Sequence, residues 1–273
     1  MCRTFKFPDI HQELKSEQYE AECERNLDIL NSFLHVMVFI QLNCSRSDRL
    51  KNKLFCLCII DDLIQSLVAI KSLSAESIRN PCRRELRYMI ESTIKACLIS
   101  QKNSDKSIEE QILEYRQVIK STNVSMIKEI EFYFFPDSQK EQFIEKTLRL
   151  YGKLCAYVHS TPHQMQERIE LDKKGRYIGY EGADELCELN NELGDALLSI
   201  LVLFFHTIPR WCVGDYLVEP NGYTVSSYYC KYRFFAIIDE AFDYKHERQD
   251  KLQEIKTIRD ANVCYQILCS TLA

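Results

Sequence analysis

Residues 83–91 read Arg83-Arg84-Glu85-Leu86-Arg87-Tyr88-Met89-Ile90-Glu91, inside a segment whose apolar residues recur with helical spacing. On a helical wheel Arg87 falls on the apolar side of this segment, with Ile90 and Ile94, and Glu91 follows it by one turn. An unpaired charge is costly to bury, so these groups need partners or a polar cleft. The stretch therefore predicts a helix that packs inside a bundle and carries a polar site.

A second segment of the same character reads Leu150-Tyr151-Gly152-Lys153-Leu154-Cys155-Ala156-Tyr157-Val158-His159-Ser160. His159 borders an apolar stripe and lies at the expected C-terminal end of a helix, where the helix dipole favours a protonated imidazole. We interpret His159 as a candidate general acid or base or as an anion-binding group, accompanied by Tyr151, Tyr157 and Ser160. The alternative is that His159 caps its helix and hydrogen-bonds a neighbour.

The composition favours long helices. The chain has 273 residues with only 7 Gly and 6 Pro, and so few helix breakers disfavour a fold of many short strands and turns. Apolar residues make up 46% and charged residues 27%, as in ordinary soluble globular proteins. The net charge of −5 argues against a sequence-independent grip on duplex nucleic acid, because that requires a basic surface.

The predicted location is cytoplasmic, with no membrane association. The first residues lack the apolar region of a signal peptide. The longest apolar run, residues 196–208, is interrupted by Ser199 and His206 and is too short to span a bilayer, so it predicts a buried core helix. Without export, most of the 13 cysteines are expected to be small buried side chains rather than disulfides.

The apolar pattern predicts a mainly α fold. Helices are expected over residues 9–43, 49–73, 81–101, 108–120, 125–134, 137–160, 183–209 and 239–271. Asn80 followed by Pro81 predicts a helix start with Asn80 as the N-cap. Residues 168–172 and 176–180 alternate around Lys173-Lys174-Gly175, which predicts a small β-hairpin. The predicted architecture is a helical bundle with a small β-hairpin.

The chain divides into two parts by amino-acid composition, without a recognisable linker between them. Residues 1–210 are predicted to form the helical bundle, and residues 211–273 an aromatic-rich C-terminal extension. The aromatic residues from Tyr216 to Tyr244 could stack on bases, form a protein or oligomer interface, or pack against the end of the bundle. The sequence leaves these three interpretations of the aromatic residues open.

The candidate site has two interpretations. Arg84, Arg87, Tyr88 and Glu91 lie close together at helical spacing, so Arg87 and Glu91 can line a polar cleft in which the two arginines bind a phosphate. In the alternative, Arg87 and Glu91 form an ion pair inside the bundle, with a structural role. Both interpretations place the residues on one helix.

No cofactor or metal is predicted. His159 and His163 have the spacing of a metal-binding pair, but Pro162 interrupts the helix between them. No glycine-rich phosphate-binding loop occurs in the chain.

These two segments resemble the HEPN superfamily, through Arg84-Glu85-Leu86-Arg87-Tyr88 and through the helix end from Tyr151 to Ser160. The resemblance covers about residues 50–205. It implies a helical bundle, often a homodimer, and a metal-independent ribonuclease of a defence or toxin system. Of the HEPN nuclease motif only His159 matches, because the nearest upstream arginine, Arg149, is too far away. Under this resemblance Arg87 on another helix would supply the missing charge.

Two functional hypotheses follow. In the first, a HEPN-like homo-oligomer acts on RNA or a nucleotide: Arg84 and Arg87 bind phosphate, Glu91 orients Arg87, and His159 serves as general acid or base. In the second, the chain is a non-catalytic regulatory or protein-interaction module whose Arg87, Glu91 and His159 form a structural network. A protein partner would then bind the C-terminal aromatic region. The first hypothesis requires Arg87 and His159 to share one recess.

Overall fold

The computed structural model describes residues 13–47, 50, 52–159, 161–176 and 179–271, with side chains described up to residue 263. The fold is mainly α, as predicted. In chain order its helices are α1 (Glu17–Ser45), α2 (Ile60–Ala75), α3 (Arg79–Lys102), α4 (Ile108–Val118), α5 (Asp137–Cys155), α6 (Pro162–Lys173), α7 (Ala183–Phe205), α8 (Arg210–Leu217), α9 (Arg233–Glu240) and α10 (Leu252–Thr271).

The centre of the molecule is α7. From Ala196 to Phe205 it is buried throughout and apolar except for Ser199, as expected for a helix surrounded by others. α1 and α3 both pack against α7, α2 packs against α1 and α3, and α5 packs against α3 and α7. The buried core helix predicted over residues 196–208 is therefore confirmed, and α3 lies at the junction of four helices.

Local sequence signals explain several helix ends. Ser107 and Glu110 form a capping box at the start of α4. At the end of α2, Ser77 adopts a φ of 52°, and the Ile78 N–H donates to the Leu73 carbonyl at 2.8 Å. This is a Schellman motif, in which a left-handed residue closes the helix. It turns the chain directly from α2 into α3.

The predicted β-hairpin is wrong. Residues 168–172 lie in α6, because Thr161 caps that helix by accepting from the Gln164 N–H and Pro162 fills its first position. Of the second expected strand, residues 177–178 lie outside the described residues. Within the described part of the chain the only extended pairing is an isolated bridge between Val218 and Thr224.

Other helix bounds also differ from the prediction. α3 begins at Arg79 with Ile78 as its N-cap, so Asn80 lies inside the helix, where its side chain accepts from Arg83 at 3.2 Å. Short 3₁₀ turns replace part of the expected helices at Phe55–Ile59 and Ser125–Glu129. The expected helix over 239–271 is divided into the end of α9, a 3₁₀ turn at His246–Lys251 and α10.

The aromatic C-terminal segment is packed into the same hydrophobic core as the bundle. Tyr229 is fully buried and donates its hydroxyl to the Ile29 carbonyl of α1 at 3.0 Å. A second buried group, Arg248, binds Asp239 at 2.6 Å and ties α9 to the following turn. Most rings of this segment are therefore packing groups, while Trp211 and Tyr244 remain exposed.

One helix, α1, is long and apolar enough to cross a membrane by length and composition, and 39% of its apolar window is buried within the fold. The absence of membrane association and the cytoplasmic location stay predictions. The ten cysteines whose side chains are described are free thiols, and five of them are buried.

Candidate functional site

A stripe of charged residues runs along one face of α3 at intervals of four residues. Its members are Arg79, Arg83, Arg87, Glu91 and Lys95. Residues four apart lie above one another on a helix, so the stripe presents a continuous row of charge to α5, α6 and α7. At the start of α3 the charged side chains are buried, and we call this the closed part of the row. In the middle of α3 they are partly exposed, and we call this the half-open part.

The closed part is centred on Arg83, whose side chain is fully buried. Its Nε donates to Glu192 on α7 at 2.6 Å, and its Nη1 donates to Glu167 on α6 at 3.0 Å. The guanidinium also lies 4.3 Å from the centre of the Tyr157 ring. Burial lowers the pKa of Arg83, but Glu192 outweighs burial and holds the pKa above its ordinary value. Arg83 thus stays charged while joining three helices.

Arg79 extends this network by one turn. It binds Glu181 and contacts Glu188 at 3.2 Å. Lys153 of α5 and Arg168 of α6 complete the cluster, since Lys153 lies 2.7 Å from Glu192 and Arg168 lies 3.5 Å from Glu181.

The four cations, Arg79, Arg83, Lys153 and Arg168, therefore face four carboxylates, Glu167, Glu181, Glu188 and Glu192. An anionic ligand would have to displace a carboxylate to reach the buried Arg79 or Arg83.

The half-open part contains the predicted pair of Arg87 and Glu91. Their side chains are 3.0 Å apart and are 21% and 16% exposed. Glu91 also accepts from Lys95 at 2.5 Å and from the Tyr151 hydroxyl at 2.8 Å. Arg87 donates to the Cys155 thiol at 3.4 Å, and its guanidinium lies 5.2 Å from the Tyr151 ring. Arg87 and Glu91 thus link α3 to α5.

These contacts decide the charge state of Glu91. Burial raises the pKa of Glu91, but hydrogen bonds from Lys95 and Tyr151 and the nearby Arg87 outweigh it, so the pKa is below its usual value. A carboxylate held ionised by three donors is a poor proton acceptor at neutral pH. The geometry fits a positioning or structural role for Glu91, not that of a base.

His159 lies just beyond the end of α5, and its side chain is exposed. The structure brings α3 and α5 together, but among the described residues it gives no hydrogen bond or ion pair between Arg87 and His159. Tyr157 is buried beneath Arg83, with its hydroxyl 3.4 Å from Nε2 of His163. Ser160 lies outside the described residues.

Arg84 and Tyr88 lie off the charged stripe, and both are exposed. Arg84 has no ion pair with a residue of the described ranges, and Tyr88 is 44% exposed. The four candidate residues with described side-chain contacts lie in two different surroundings. Arg87, Glu91 and Tyr151 form one cluster, and Tyr157 belongs to the closed network around Arg83.

The sequence interpretation missed Arg79 and Arg83, which are more deeply buried than Arg87. A usable signal was present, because the charges at 79, 83, 87, 91 and 95 recur every four residues. The partner signal on α7 is the pair of Glu188 and Glu192, acids four residues apart that precede a mostly apolar half-helix.

Comparison of the chain with protein-family models, with curated proteins and with solved structures finds no match. Within the described ranges, no group of three or more His, Cys, Asp or Glu side chains is placed to hold a metal ion. The chemistry of the site therefore rests on its own geometry.

Proposed function

We propose that the protein is a non-catalytic regulatory or protein-interaction module, in which the Arg/Glu network is structural. One observation carries this proposal: each buried cation of the cluster around Arg83 is neutralised by a carboxylate of the chain itself. A site that binds phosphate or stabilises a charged transition state needs a cation whose charge is available. Arg83 and Arg79 are engaged by acids from α6, α7 and the segment before α7.

The same reasoning applies to Arg87 at the edge of the network. Its charge is shared with Glu91, which is in turn held by Lys95 and Tyr151. This arrangement supports a role in fixing α3 against α5, so that the surfaces of these helices keep one shape.

The experiment combines a cleavage assay with a stability measurement. The purified protein is incubated with single-stranded RNA beside the His159→Ala variant, and both are unfolded in denaturant. We expect no cleavage above that of the variant, and equal stabilities because His159 is exposed. Cleavage by the wild type that the His159→Ala variant loses would overturn the proposal.

A second candidate function is action on RNA or a nucleotide by a HEPN-like homo-oligomer, possessing a ribonuclease activity of the defence or toxin type. Two observations favour it: His159 is exposed at the end of α5, and Arg84 is exposed on α3 without a carboxylate partner in the described ranges. In this case Arg84 and Arg87 hold the phosphate, Glu91 orients Arg87, and His159 transfers the proton.

This second candidate makes a distinct demand on His159, which must transfer the proton. An RNA cleavage rate that is lost in His159→Ala and is retained in Arg116→Ala, a variant of an exposed arginine on α4, would establish it. Cleavage that is equal in both variants would exclude it.

The proposed protein partner would meet few of the aromatic rings, since most are packed inside. Among the described side chains of the C-terminal segment, Trp211 and Tyr244 are the most exposed aromatic rings, at 49% and 65%, and a partner can reach them. Sedimentation of the wild type beside the Trp211→Ala variant tests whether this surface joins two copies of the chain.

A further inference from the structure

A cavity of about 510 Å³ lies where α6 passes the start of α3. Three arginines line it, Arg79, Arg84 and Arg168, and none of its described lining residues carries a carboxylate. Arg79 and Arg168 also belong to the charge-balanced network behind the cavity, so the excess positive charge at the cavity wall comes from Arg84.

The three arginines differ in how far their charge is available. Arg79 is held by Glu181 and Glu188, so it mainly supports the wall. Arg84 is exposed and has no ion pair within the described part of the chain. The buried Nη1 of Arg168 lies 3.5 Å from Glu181, so part of the charge of Arg168 is already shared. The Arg168 side chain is 41% exposed, and its other two guanidinium nitrogens have no hydrogen bond with a described residue. Arg84 thus offers all of its donors, and Arg168 offers those that do not face Glu181.

The start of α3 adds further donors. Ile78 is the N-cap of this helix and has no side chain that can accept a hydrogen bond, so no side chain caps the N–H groups of the first turn. Asn80 lies on that turn, and Gln164 lies across the cavity on α6, so amide groups are present on two walls. The N-terminus of a helix favours an anion, and Arg84 and Arg168 supply the full charges.

The other wall is apolar. Met165 and Ile169 of α6 are each 54% exposed and line the cavity together with Ile78 and Pro81. A bare inorganic anion would leave these groups uncovered, and the volume exceeds what one phosphate fills. The cavity falls within the size range of sites for drug-sized ligands.

We infer that this cavity binds a phosphate monoester with a flat apolar body, a molecule of mononucleotide size, through Arg84 and Arg168. The phosphate lies between the two guanidinium groups and the start of α3, and the apolar body covers Met165 and Ile169. The inference uses none of Arg87, Glu91 and His159. It extends the proposal of a regulatory module by naming the chemistry of its ligand.

The experiment is calorimetric titration of the full chain with adenosine 5′-monophosphate, with adenosine and with inorganic phosphate. We expect the monophosphate to bind, inorganic phosphate to bind more weakly, and adenosine to bind at least tenfold more weakly than the monophosphate. Arg84→Ala should weaken the monophosphate at least tenfold, because a hydrogen bond to a charged group is lost. Arg116→Ala, which removes an exposed arginine outside the cavity, should leave binding unchanged.

Three results would overturn the inference: no binding of the monophosphate at millimolar concentration, equal binding of adenosine, or equal weakening by Arg84→Ala and Arg116→Ala. Binding of an RNA oligonucleotide without terminal phosphate in place of the monophosphate would also overturn it, and would indicate a strand as ligand. Because Arg84 is exposed and has no ion pair with a described residue, loss of folding is not expected, and the unfolding curve of Arg84→Ala checks this. A failure here leaves the network proposal standing, since that proposal is tested by stability and cleavage.

Discussion

The two halves of α7 bury polar groups in opposite ways. The first half carries the buried Glu192, which is paired with Arg83 and Lys153, and the more exposed Glu188, which is paired with Arg79. The part from Ala196 to Phe205 is apolar except for Ser199, and its C-cap is His206, which is 1% exposed and has no charged partner within the described residues. A group that can lose its charge can be buried alone, whereas an arginine cannot and must be paired.

His206 shows how the second half handles a polar ring. It contacts the rings of Phe132, Tyr133, Phe134 and Phe135 at centroid distances of 4.6 to 5.1 Å. Nδ1 accepts from the backbone N–H of Phe134 at 3.4 Å, and Nε2 has no partner in the structure. Burial alone lowers the pKa of His206 to about 3, so the ring is neutral at physiological pH.

The largest expected effect comes from removing Arg83, the arginine that pairs with the charged half of α7. Arg83→Met leaves Glu192 buried without its main partner, and removal of one member of a buried ion pair costs about 3–5 kcal/mol. Denaturant unfolding measures this loss. Arg84→Met, which removes the neighbouring exposed arginine, should change stability by about 0.5 kcal/mol or less. Equal effects of the two variants would show that the buried network contributes nothing specific.

The second effect is a loss of stability in acid, which arises from His206 at the end of the apolar half of α7. The unfolded chain protonates His206 near pH 6.5, but the folded chain does so only near pH 3. The unfolded state therefore binds more protons in this window, so the contribution is complete above pH 6.5 and falls as the pH is lowered toward 3. At pH 4.5 the loss is about 2–3 kcal/mol, from a difference of about two pH units.

The variant His206→Asn isolates this contribution, because Asn can accept from the Phe134 N–H and does not titrate. Its stability should depend less on pH between 6.5 and 4.5 than that of the wild type. Nearby cations lower the pKa values of Glu91 and Glu188 despite their partial burial. These two groups therefore add a loss of stability in acid that is the same in both proteins. Parallel pH profiles for the two proteins would mean that His206 is not buried as neutral imidazole.

A third effect tests the close packing at Gly194, which lies between the charged half and the apolar half of α7. A Cβ at Gly194 would lie 2.3 Å from the hydroxyl oxygen of the buried Tyr232. Gly194→Ala should therefore destabilise by about 1–3 kcal/mol, and Tyr232→Phe should recover part of this loss. Gly152→Ala on α5, where nothing lies within 4 Å of the new Cβ, should instead stabilise by about 1 kcal/mol. Thermal unfolding measures both changes in stability. If both glycine variants changed the stability in the same direction, the result would contradict this packing.

The smallest effect is expected at Arg87. Its pair with Glu91 is partly exposed, and Glu91 keeps Lys95 and Tyr151 when Arg87 is removed. Arg87→Met should therefore cost about 1 kcal/mol or less, measured by denaturant unfolding. A loss as large as that of Arg83→Met would place Arg87 within the closed network.

The sequence predicts the helical class and the buried half of α7 because Gly and Pro are scarce and the apolar run is long. It also marks α3 as a helix with charges near its buried side. It does not distinguish Arg83 from Arg87, because which of two residues on a stripe is buried depends on the carboxylates of α6 and α7. The β-hairpin failed for a similar reason: the capping by Thr161 and Pro162 outweighed a short alternating pattern.

The most direct test of the structural network is a double-mutant cycle on Arg83→Met and Glu192→Gln, followed by denaturant unfolding. Each single variant removes the shortest ion pair of a buried charge, which leaves Glu192 with Lys153 and Arg83 with Glu167. We therefore expect the double variant to lose at least about 2 kcal/mol less than the sum of the single losses. Additive losses within about 0.5 kcal/mol would contradict the account, because they would show that these two side chains do not depend on each other.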